Sequence, residues 1–255
     1  MAKKLRPVAH EDRLTLVEHL DELRTRLIVS ALAVIVAFAF CAWQNHLILE
    51  IVNDPLPAGE QPITLSPTEP FLTTVTLSLY AALLIALPVL LYQAYAFVLP
   101  AFSPSERRVA LPLLLMVPLL FVAGVLFCYF VVLPPAIKFL LGFNADEFDT
   151  ELRARDYYSF VSLTLLSMGI LFQVPVGVIA ATRLGLTTPE KLRRGRRLAI
   201  VGIAVLAALL PTIDPVTMLL EMVPLVVLYE LSIVLASAFG RPPEEIRDAV
   251  ASAEG

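Results

Sequence analysis

Long, continuous apolar segments constrain the fold of this chain more than any other feature of its sequence. A helix that crosses a bilayer needs roughly 20 predominantly apolar residues. The segments that reach or approach this length are 27–43 (with an apolar extension to 49), 72–99, 109–141, 157–181, 198–210 and 216–239. None of them alternates apolar and polar residues, which argues against membrane β-strands. The sequence therefore predicts an all-α polytopic membrane protein with six transmembrane helices.

Composition agrees with lipid as the solvent of these segments. The chain is 58% hydrophobic and 16% charged, whereas soluble domains are about half apolar and a quarter charged. The fifth segment is short, so spans five and six are expected to form a short hairpin. Prolines inside the segments predict kinked helices; they are Pro88, Pro112, Pro118, Pro134, Pro135, Pro175 and Pro224.

Basic residues predict the orientation of the bundle. Lysine and arginine collect before span one, between spans two and three, between spans four and five, and in the tail, whereas the remaining loops hold only Arg153 and Arg155. Because basic loops stay on the cytoplasmic side, both termini are predicted to be cytoplasmic. The expected organisation is an amphipathic cytoplasmic segment (1–26), a six-span membrane domain (27–239) and a cytoplasmic tail (240–255).

The cytoplasmic leader has the pattern of an amphipathic helix. Its apolar residues recur at helical spacing, at Leu16, Leu20, Leu23 and Leu27. Thr15 and Glu18 have the spacing of a capping box, so a helix is expected to begin near Thr15. Glu22 precedes Arg26 by four residues, which is the favourable order for an ion pair within a helix.

The loop between spans two and three has a helix-start pattern. Ser103 is a candidate N-cap, Pro104 suits the first helical position, and Glu106 falls at the capping-box position. On spacing alone Glu106 is thus a structural residue, just as Glu22 is half of a local ion pair. Neither structural role excludes recognition of a ligand, because a cap or an ion pair also fixes the side-chain rotamer.

Few ionisable residues lie inside the predicted spans, and such groups are often functional. Gln173 lies in span four, where it is expected to hydrogen-bond either within the bundle or to a partner helix. Glu221 and Glu230 lie nine residues apart in span six, on opposite faces of a straight helix. Glu221 is close to the outer end, so Glu230 is expected to be the more significant of the two.

Several stretches together resemble the TatC family, the receptor subunit of the twin-arginine protein translocase. They are 19–26 (HLDELRTR), 66–71 (SPTEPF), 92–108 (YQAYAFVLPAFSPSERR), 172–176 (FQVPV) and Asp214 before span six. The resemblance runs from about His19 to Phe239. It implies a receptor in the cytoplasmic (inner) membrane that binds the signal peptides of folded proteins through their paired arginines.

The resemblance also implies the binding residues. The family's two recognition carboxylates map onto Glu22 and Glu106, and the same motifs contribute Arg24, Phe97 and Arg107. The chemistry is suitable, because a planar guanidinium forms bidentate hydrogen bonds with a carboxylate.

Further implications concern partners and the intramembrane residues. Single-span subunits of the TatA/TatB type, assembly into a homo-oligomer or hetero-complex, and contact with membrane lipid are implied. Gln173, Glu230 and Asp214 are the polar residues expected to serve those contacts. The family often has glutamate where this chain has Gln173, so a protonatable group is absent at that position.

Other functions have weaker support in the sequence. A small-solute secondary transporter would place broken helices around a mid-membrane site, whereas the charges here gather at the predicted cytoplasmic face. An intramembrane enzyme would need a catalytic set, and His10, His19 and His46 have no companions at metal-ligand or catalytic spacing. Cys41 and Cys128 lie in apolar segments and are expected to be buried. A net charge of −4 gives no argument for nucleic acid, and no cofactor is expected.

Overall fold

The computed structural model describes residues 16–57, 59–98, 104–147, 150–183, 185–210 and 214–239, with backbone alone for 16–19, 98, 104–114 and 239. The regular secondary structure of these residues is helical, apart from one isolated bridge between Ile63 and Arg153. Its α-helices are α1 (Leu16–Trp43), α2 (Asn45–Asn53), α3 (Glu69–Val98), α4 (Pro104–Phe127), α5 (Leu133–Gly142), α6 (Ala154–Leu171), α7 (Val174–Arg183), α8 (Pro189–Arg194), α9 (Arg196–Leu209) and α10 (Pro215–Phe239).

The predicted membrane fold is confirmed. Five segments are long and apolar enough to cross a bilayer: Leu20–Trp43, Glu69–Phe97, Leu115–Gly142, Ala154–Arg183 and Pro215–Ala238. The sixth is α9, whose 14 residues extend about 21 Å at 1.5 Å per residue. This is less than the roughly 30 Å hydrocarbon core, as the short fifth apolar segment predicted. Helices α9 and α10 pack against each other.

Span three is interrupted by a π-helical turn, Cys128–Val132, which joins α4 to α5. Pro134 and Pro135 follow at the start of α5. Proline lacks an N–H and crowds the carbonyl four residues earlier, and the wider π-helical turn lies where those carbonyls occur. Helices α3 and α10, in contrast, remain continuous through Pro88 and Pro224.

Span four is two helices rather than one. Helix α6 ends at Leu171 and α7 begins at Val174, with Phe172 and Gln173 in the break. Pro175 explains the position of this break, because it cannot donate to the carbonyl of Leu171 four residues earlier. The apolar segment alone predicted a single kinked span.

Helix α1 runs without interruption from the leader into the first span. This continuity agrees with a leader helix that leads directly into span one, and the boundary expected at residue 26 between a cytoplasmic segment and the membrane domain stays a prediction. The predicted Thr15 cap lies outside the described residues. Of the apolar stripe on the leader, Leu20 and Leu27 are 64% and 60% exposed, so the bundle does not cover this part of the stripe.

The end of the bundle at which α1 begins is here termed the N-terminal end. It also holds the end of α3, the start of α4, helix α8 and the end of α10. Tyrosine hydroxyls connect the helices here. Tyr95 of α3 donates to the Val176 carbonyl of α7 at 3.1 Å, and Tyr229 of α10 donates to the Leu192 carbonyl of α8 at 2.8 Å.

The opposite end, termed the far end, is held together around the short helix α2. The hydroxyl of Tyr129 donates to the Ile51 carbonyl, and that of Tyr157 donates to the Val52 carbonyl, both at 2.7 Å. These bonds satisfy carbonyls in the last turn of α2 that have no partner within the helix. The main buried cluster lies next to them and includes Cys128 and Met168.

Candidate functional site

Close packing of α1 against α3 positions the first candidate residues. Small buried side chains line this contact and let the two backbones approach; they are Ala37, Cys41, Ala82 and Ala86. Following the two helices toward the N-terminal end brings Glu22 and Arg26 of α1 beside Gln93 and Ala96 of α3.

Arg26 is bound by both helices. Its Nε donates to Glu22 Oε1 at 3.0 Å, and its Nη2 donates to the same carboxylate oxygen. Its Nη1 donates to the side-chain oxygen of Gln93 at 2.9 Å, and Nη2 also reaches the Ala96 carbonyl at 3.3 Å. The predicted ion pair between Glu22 and Arg26 is thus confirmed, and it is also part of a contact between helices.

An open cavity of about 520 Å³ adjoins this pair. It is lined by Asp21, Glu22, Thr25, Arg26, Val29 and Gln93. Two carboxylates and one guanidinium leave the lining with a formal excess of one negative charge. The side chains of Glu22 and Arg26 are only 25% and 23% exposed, so water is partly excluded and charge-assisted hydrogen bonds are stronger there than on an open surface. The cavity therefore suits a cationic group.

Two other predicted residues lie near the same end. Phe97 is half-buried in the last turn of α3, directly after the Ala96 carbonyl that accepts from Arg26. Arg24 is exposed on α1. Two helical positions rotate a side chain by about 200°, so Arg24 lies on the face of α1 opposite Glu22 and Arg26. The structure brings Phe97 toward the candidate site and leaves Arg24 away from it.

Glu106 and Arg107 lie in the first turn of α4, which begins at Pro104 as the sequence predicted. Their side chains, and Ser103 with its predicted capping role, are outside the described part of the molecule. The start of α4 belongs to the N-terminal end of the bundle, because α3 leads there and α4 packs back against α3. The backbone thus places Glu106 at the same end as Glu22, and its side-chain contacts remain a prediction.

Gln173 lies in the break between α6 and α7. Its Nε2 donates to the Val117 carbonyl of α4 at 3.2 Å. The side chain therefore joins two helices inside the bundle, which is one of the two roles that the sequence left open for it. Whether it also serves a partner helix stays a prediction.

The two glutamates of span six differ in burial, and the difference is the reverse of the expectation. Glu221 is the enclosed residue and Glu230 is not. Glu221 is fully buried and lies within electrostatic range of the Cys128 thiol. Glu230 is 45% exposed and accepts a hydrogen bond at 2.8 Å from Arg196, the first residue of α9. The enclosed carboxyl is thus that of Glu221, because α10 presents residue 221 to neighbouring helices and residue 230 to the bundle end.

Asp214 begins span six as a helix cap. Its Oδ1 accepts from the backbone N–H of Thr217 at 2.7 Å, and its own carbonyl accepts from the N–H of Met218. These bonds satisfy N–H groups in the first turn of α10. The predicted polar residue before span six therefore has a structural role, and a contact with a partner stays a prediction.

Sequence reasoning missed two arrangements. Gln93 and the Ala96 carbonyl complete the binding of Arg26; the only signal was a polar amide near the end of an apolar helix. At the far end, Arg153 donates to Glu69 at 2.8 Å and joins the start of α3 to the segment before α6. That hydrogen bond raises the pKa of the Arg153 guanidinium above its ordinary value.

Fold and site together define a class: a helical, multi-pass membrane protein with an anionic, guanidinium-holding site at one end of the bundle. The family model for the Sec-independent protein translocase protein (TatC) matches residues 18–224. The chain belongs to the TatC family, whose members are components of a protein translocase.

Relatives match along nearly the whole chain. TatC of Aquifex aeolicus is 39% identical over 240 residues, covering 92% of this chain and 99% of that protein. TatC of Escherichia coli K12 is 36% identical over 242 residues, covering 92% and 94%. A crystal structure of the twin-arginine translocase receptor TatC in DDM superimposes with a TM-score of 0.77 at 39% identity, over 88% of this chain and all of that one.

Proposed function

We propose that this chain is the signal-peptide receptor subunit of a twin-arginine translocase. It binds the two arginines of a leader peptide at the N-terminal end of its bundle, with Glu22 and Glu106 as the carboxylate acceptors. Phe97, in the last turn of α3, and Arg107, in the first turn of α4, complete the surface around these acceptors. Arg24, on the opposite face of α1, contacts the leader outside the arginine pair.

The coordination of Arg26 is the observation that carries this proposal. A guanidinium is already held there by the Glu22 carboxylate, the Gln93 amide oxygen and the Ala96 carbonyl. These are the acceptors that a leader arginine needs, and the cavity beside them carries excess negative charge. A site that binds one guanidinium by planar, charge-assisted hydrogen bonds is suited to bind another.

Support for Glu106 comes from the start of α4. A carboxylate in the first helical turn is favoured by the helix dipole. Helix α4 starts at the end of the bundle that holds Glu22. Two carboxylates on one end would match two successive arginines of an extended peptide.

The basic residues support a cytoplasmic position for this end. Six lysines and arginines precede span one, and six more lie between residues 183 and 197. Those that the structure describes lie at the N-terminal end of the bundle. By the positive-inside rule this end faces the cytoplasm of a cell whose inner membrane holds the protein. Glu22 and Glu106 would then bind the leader on the cytoplasmic side, before the folded passenger crosses the membrane.

Partner subunits are the second part of the proposal. The uncovered apolar faces of the bundle suit single-span subunits of the TatA/TatB type or further copies of this chain, as well as lipid. Gln173, Glu230 and Asp214 are the polar groups proposed to lie near such contacts. Membership of a protein-translocase family does not favour the small-solute transporter considered from the sequence.

The test is a double-mutant cycle on leader affinity. The full chain, in detergent or nanodiscs, is titrated with a fluorescent leader peptide carrying Arg-Arg or Lys-Lys. Glu106→Gln keeps the shape and part of the capping capacity and removes the charge. A charge-assisted hydrogen bond contributes about 1.5–3 kcal/mol, so the Arg-Arg leader should bind at least roughly tenfold more weakly.

Glu190→Gln is the matched control, because Glu190 is also an acidic residue in the first turn of a helix at the N-terminal end. Its leader affinity should equal that of the parent. The Glu106→Gln and Lys-Lys changes together should cost less than their sum, since both remove one interaction. Strict additivity would show that Glu106 is only a helix cap.

A further inference from the structure

Arg26 occupies the acceptors that the proposed function assigns to a leader arginine. Three different nitrogens of its guanidinium are engaged: Nε and Nη2 by Glu22, Nη1 by Gln93, and Nη2 again by the Ala96 carbonyl. The acceptors are therefore distributed around the planar group rather than around one point. This arrangement fits a guanidinium and fits an ammonium poorly, because a lysine presents all its donors from a single nitrogen.

The contact is more than a local ion pair of α1. A pair four residues apart needs only the two side chains of one helix. Arg26 additionally reaches acceptors 67 and 70 residues further along the chain, on a different helix. Both charged side chains are three-quarters buried, which makes the arrangement sensitive to the loss of any one hydrogen bond.

We infer that Arg26 is an internal competitor of the leader, an occupant that any leader side chain must displace from Glu22, Gln93 and the Ala96 carbonyl. This inference rests on the proposed function. When a leader arginine replaces Arg26, one guanidinium takes over the hydrogen bonds of another, and the displaced side chain is hydrated in the open cavity. When a leader lysine does so, part of the acceptor set is left without a donor.

The occupant therefore lowers the affinity for every leader that uses these acceptors. The free energy of displacing Arg26 is the same for both leaders, so it cancels from the ratio of their dissociation constants. The preference for arginine comes from the bound complex, because a lysine leaves a buried acceptor without a donor whether or not Arg26 is present. Removal of Arg26 should tighten binding of the Arg-Arg and Lys-Lys leaders by a similar factor.

The experiment measures dissociation constants of fluorescent Arg-Arg and Lys-Lys leader peptides for the full chain in nanodiscs. The variants are Arg26→Gln, which removes charge and fork, and Arg26→Lys, which keeps the charge and removes the fork. Arg194→Gln is the charge-matched control, an exposed arginine at the same end of the bundle. Glu22→Gln tests the acceptor itself, and thermal stability is recorded for every variant.

The expected result for Arg26→Gln is tighter binding of both leaders by a similar factor, at least roughly fivefold, with the Arg-Arg to Lys-Lys preference retained and no change for Arg194→Gln. Arg26→Lys should also tighten both leaders, because an ammonium occupies the acceptors less completely. Parental affinities in Arg26→Gln, or weaker binding of both leaders with lowered thermal stability, would overturn the inference. So would parental affinities in Arg26→Lys alone, which would indicate charge repulsion. If Glu22→Gln leaves both affinities unchanged, the proposed recognition site itself fails; if it weakens Arg-Arg binding, that site stands whatever the Arg26 variants show.

Discussion

The contact between spans three and four gives the most direct prediction from the structure. Gly169 of α6 lies against the ring of Phe121 of α4, and Gly124 of α4 lies against Phe172 in the break after α6. Each ring fills the space left by a glycine on the opposite span. The change considered is Gly169→Ala, which adds one methyl group to this contact.

The size of the expected destabilisation follows from the distance between the added Cβ and the ring of Phe121. A Cβ built at Gly169 would lie 2.5 Å from Cε2 of Phe121, whereas carbon atoms in contact are about 3.5–4.0 Å apart. The ring must therefore move by roughly 1 Å, and it is only 2% exposed, so its neighbours must move as well. Overpacking of this kind destabilises a protein by about 1–3 kcal/mol.

Gly202→Ala is the matched control, because Gly202 lies within α9 with no atom within 4 Å of its added Cβ. Both substitutions gain helix propensity, about 1 kcal/mol for glycine to alanine. That gain cancels when the two variants are compared. Gly169→Ala should therefore be less stable than Gly202→Ala by about 1–3 kcal/mol, the overpacking cost alone.

The assay is unfolding of the purified chain in mixed micelles with increasing SDS, followed by far-ultraviolet circular dichroism. A further variant, Gly169→Ala with Phe121→Leu, removes part of the ring and should recover some of the lost stability, so that the two changes are not additive. Equal free energies of unfolding for Gly169→Ala and Gly202→Ala would refute the reasoning, since the contact could then relax at no cost.

Two further predictions concern topology and the mid-span amide. Reporter fusions should be periplasmic after positions 58 and 149 and cytoplasmic after 103, 188 and the C-terminus, because of the distribution of basic residues; a periplasmic signal after 103 would contradict both the orientation and the receptor proposal. Gln173→Leu removes the hydrogen bond to the Val117 carbonyl and should weaken association with single-span partners, measured by co-purification, while leader affinity is unchanged. Parental co-purification and transport would show that Gln173 has no role beyond the bundle.

Local features of the sequence predicted much of the architecture. Six apolar segments correspond to the helical spans, and the short fifth segment corresponds to the 14-residue α9. Pro104 begins α4 and the Glu22–Arg26 pair forms as its spacing predicted. These properties depend on hydropathy, helical periodicity and proline geometry within a few neighbouring residues, so the amino-acid order is sufficient to determine them.

The positions of the prolines predicted that spans three and four would be distorted, but they did not predict which kind of distortion each span would have. Pro175 indicated a kink in span four, and the structure has a break at Phe172 and Gln173 instead. Pro134 and Pro135 indicated a kink in span three, which contains a π-helical turn before them. The form depends on which neighbouring groups accept or donate the hydrogen bonds that proline disrupts, and those neighbours come from other helices.

Only the tertiary structure determined which residues of other helices join Glu22 and Arg26 in the candidate site. Glu22 and Arg26 could be paired from their spacing, but Gln93 and the Ala96 carbonyl join them only because α3 packs against α1. Likewise Glu221 is the enclosed carboxyl of span six, although its position near the end of the segment suggested otherwise. In lipid, an apolar side chain is equally suited to face the solvent or a neighbouring helix. Hydropathy therefore determines that these helices cross the membrane, and only side-chain packing and hydrogen bonds between helices determine which faces meet.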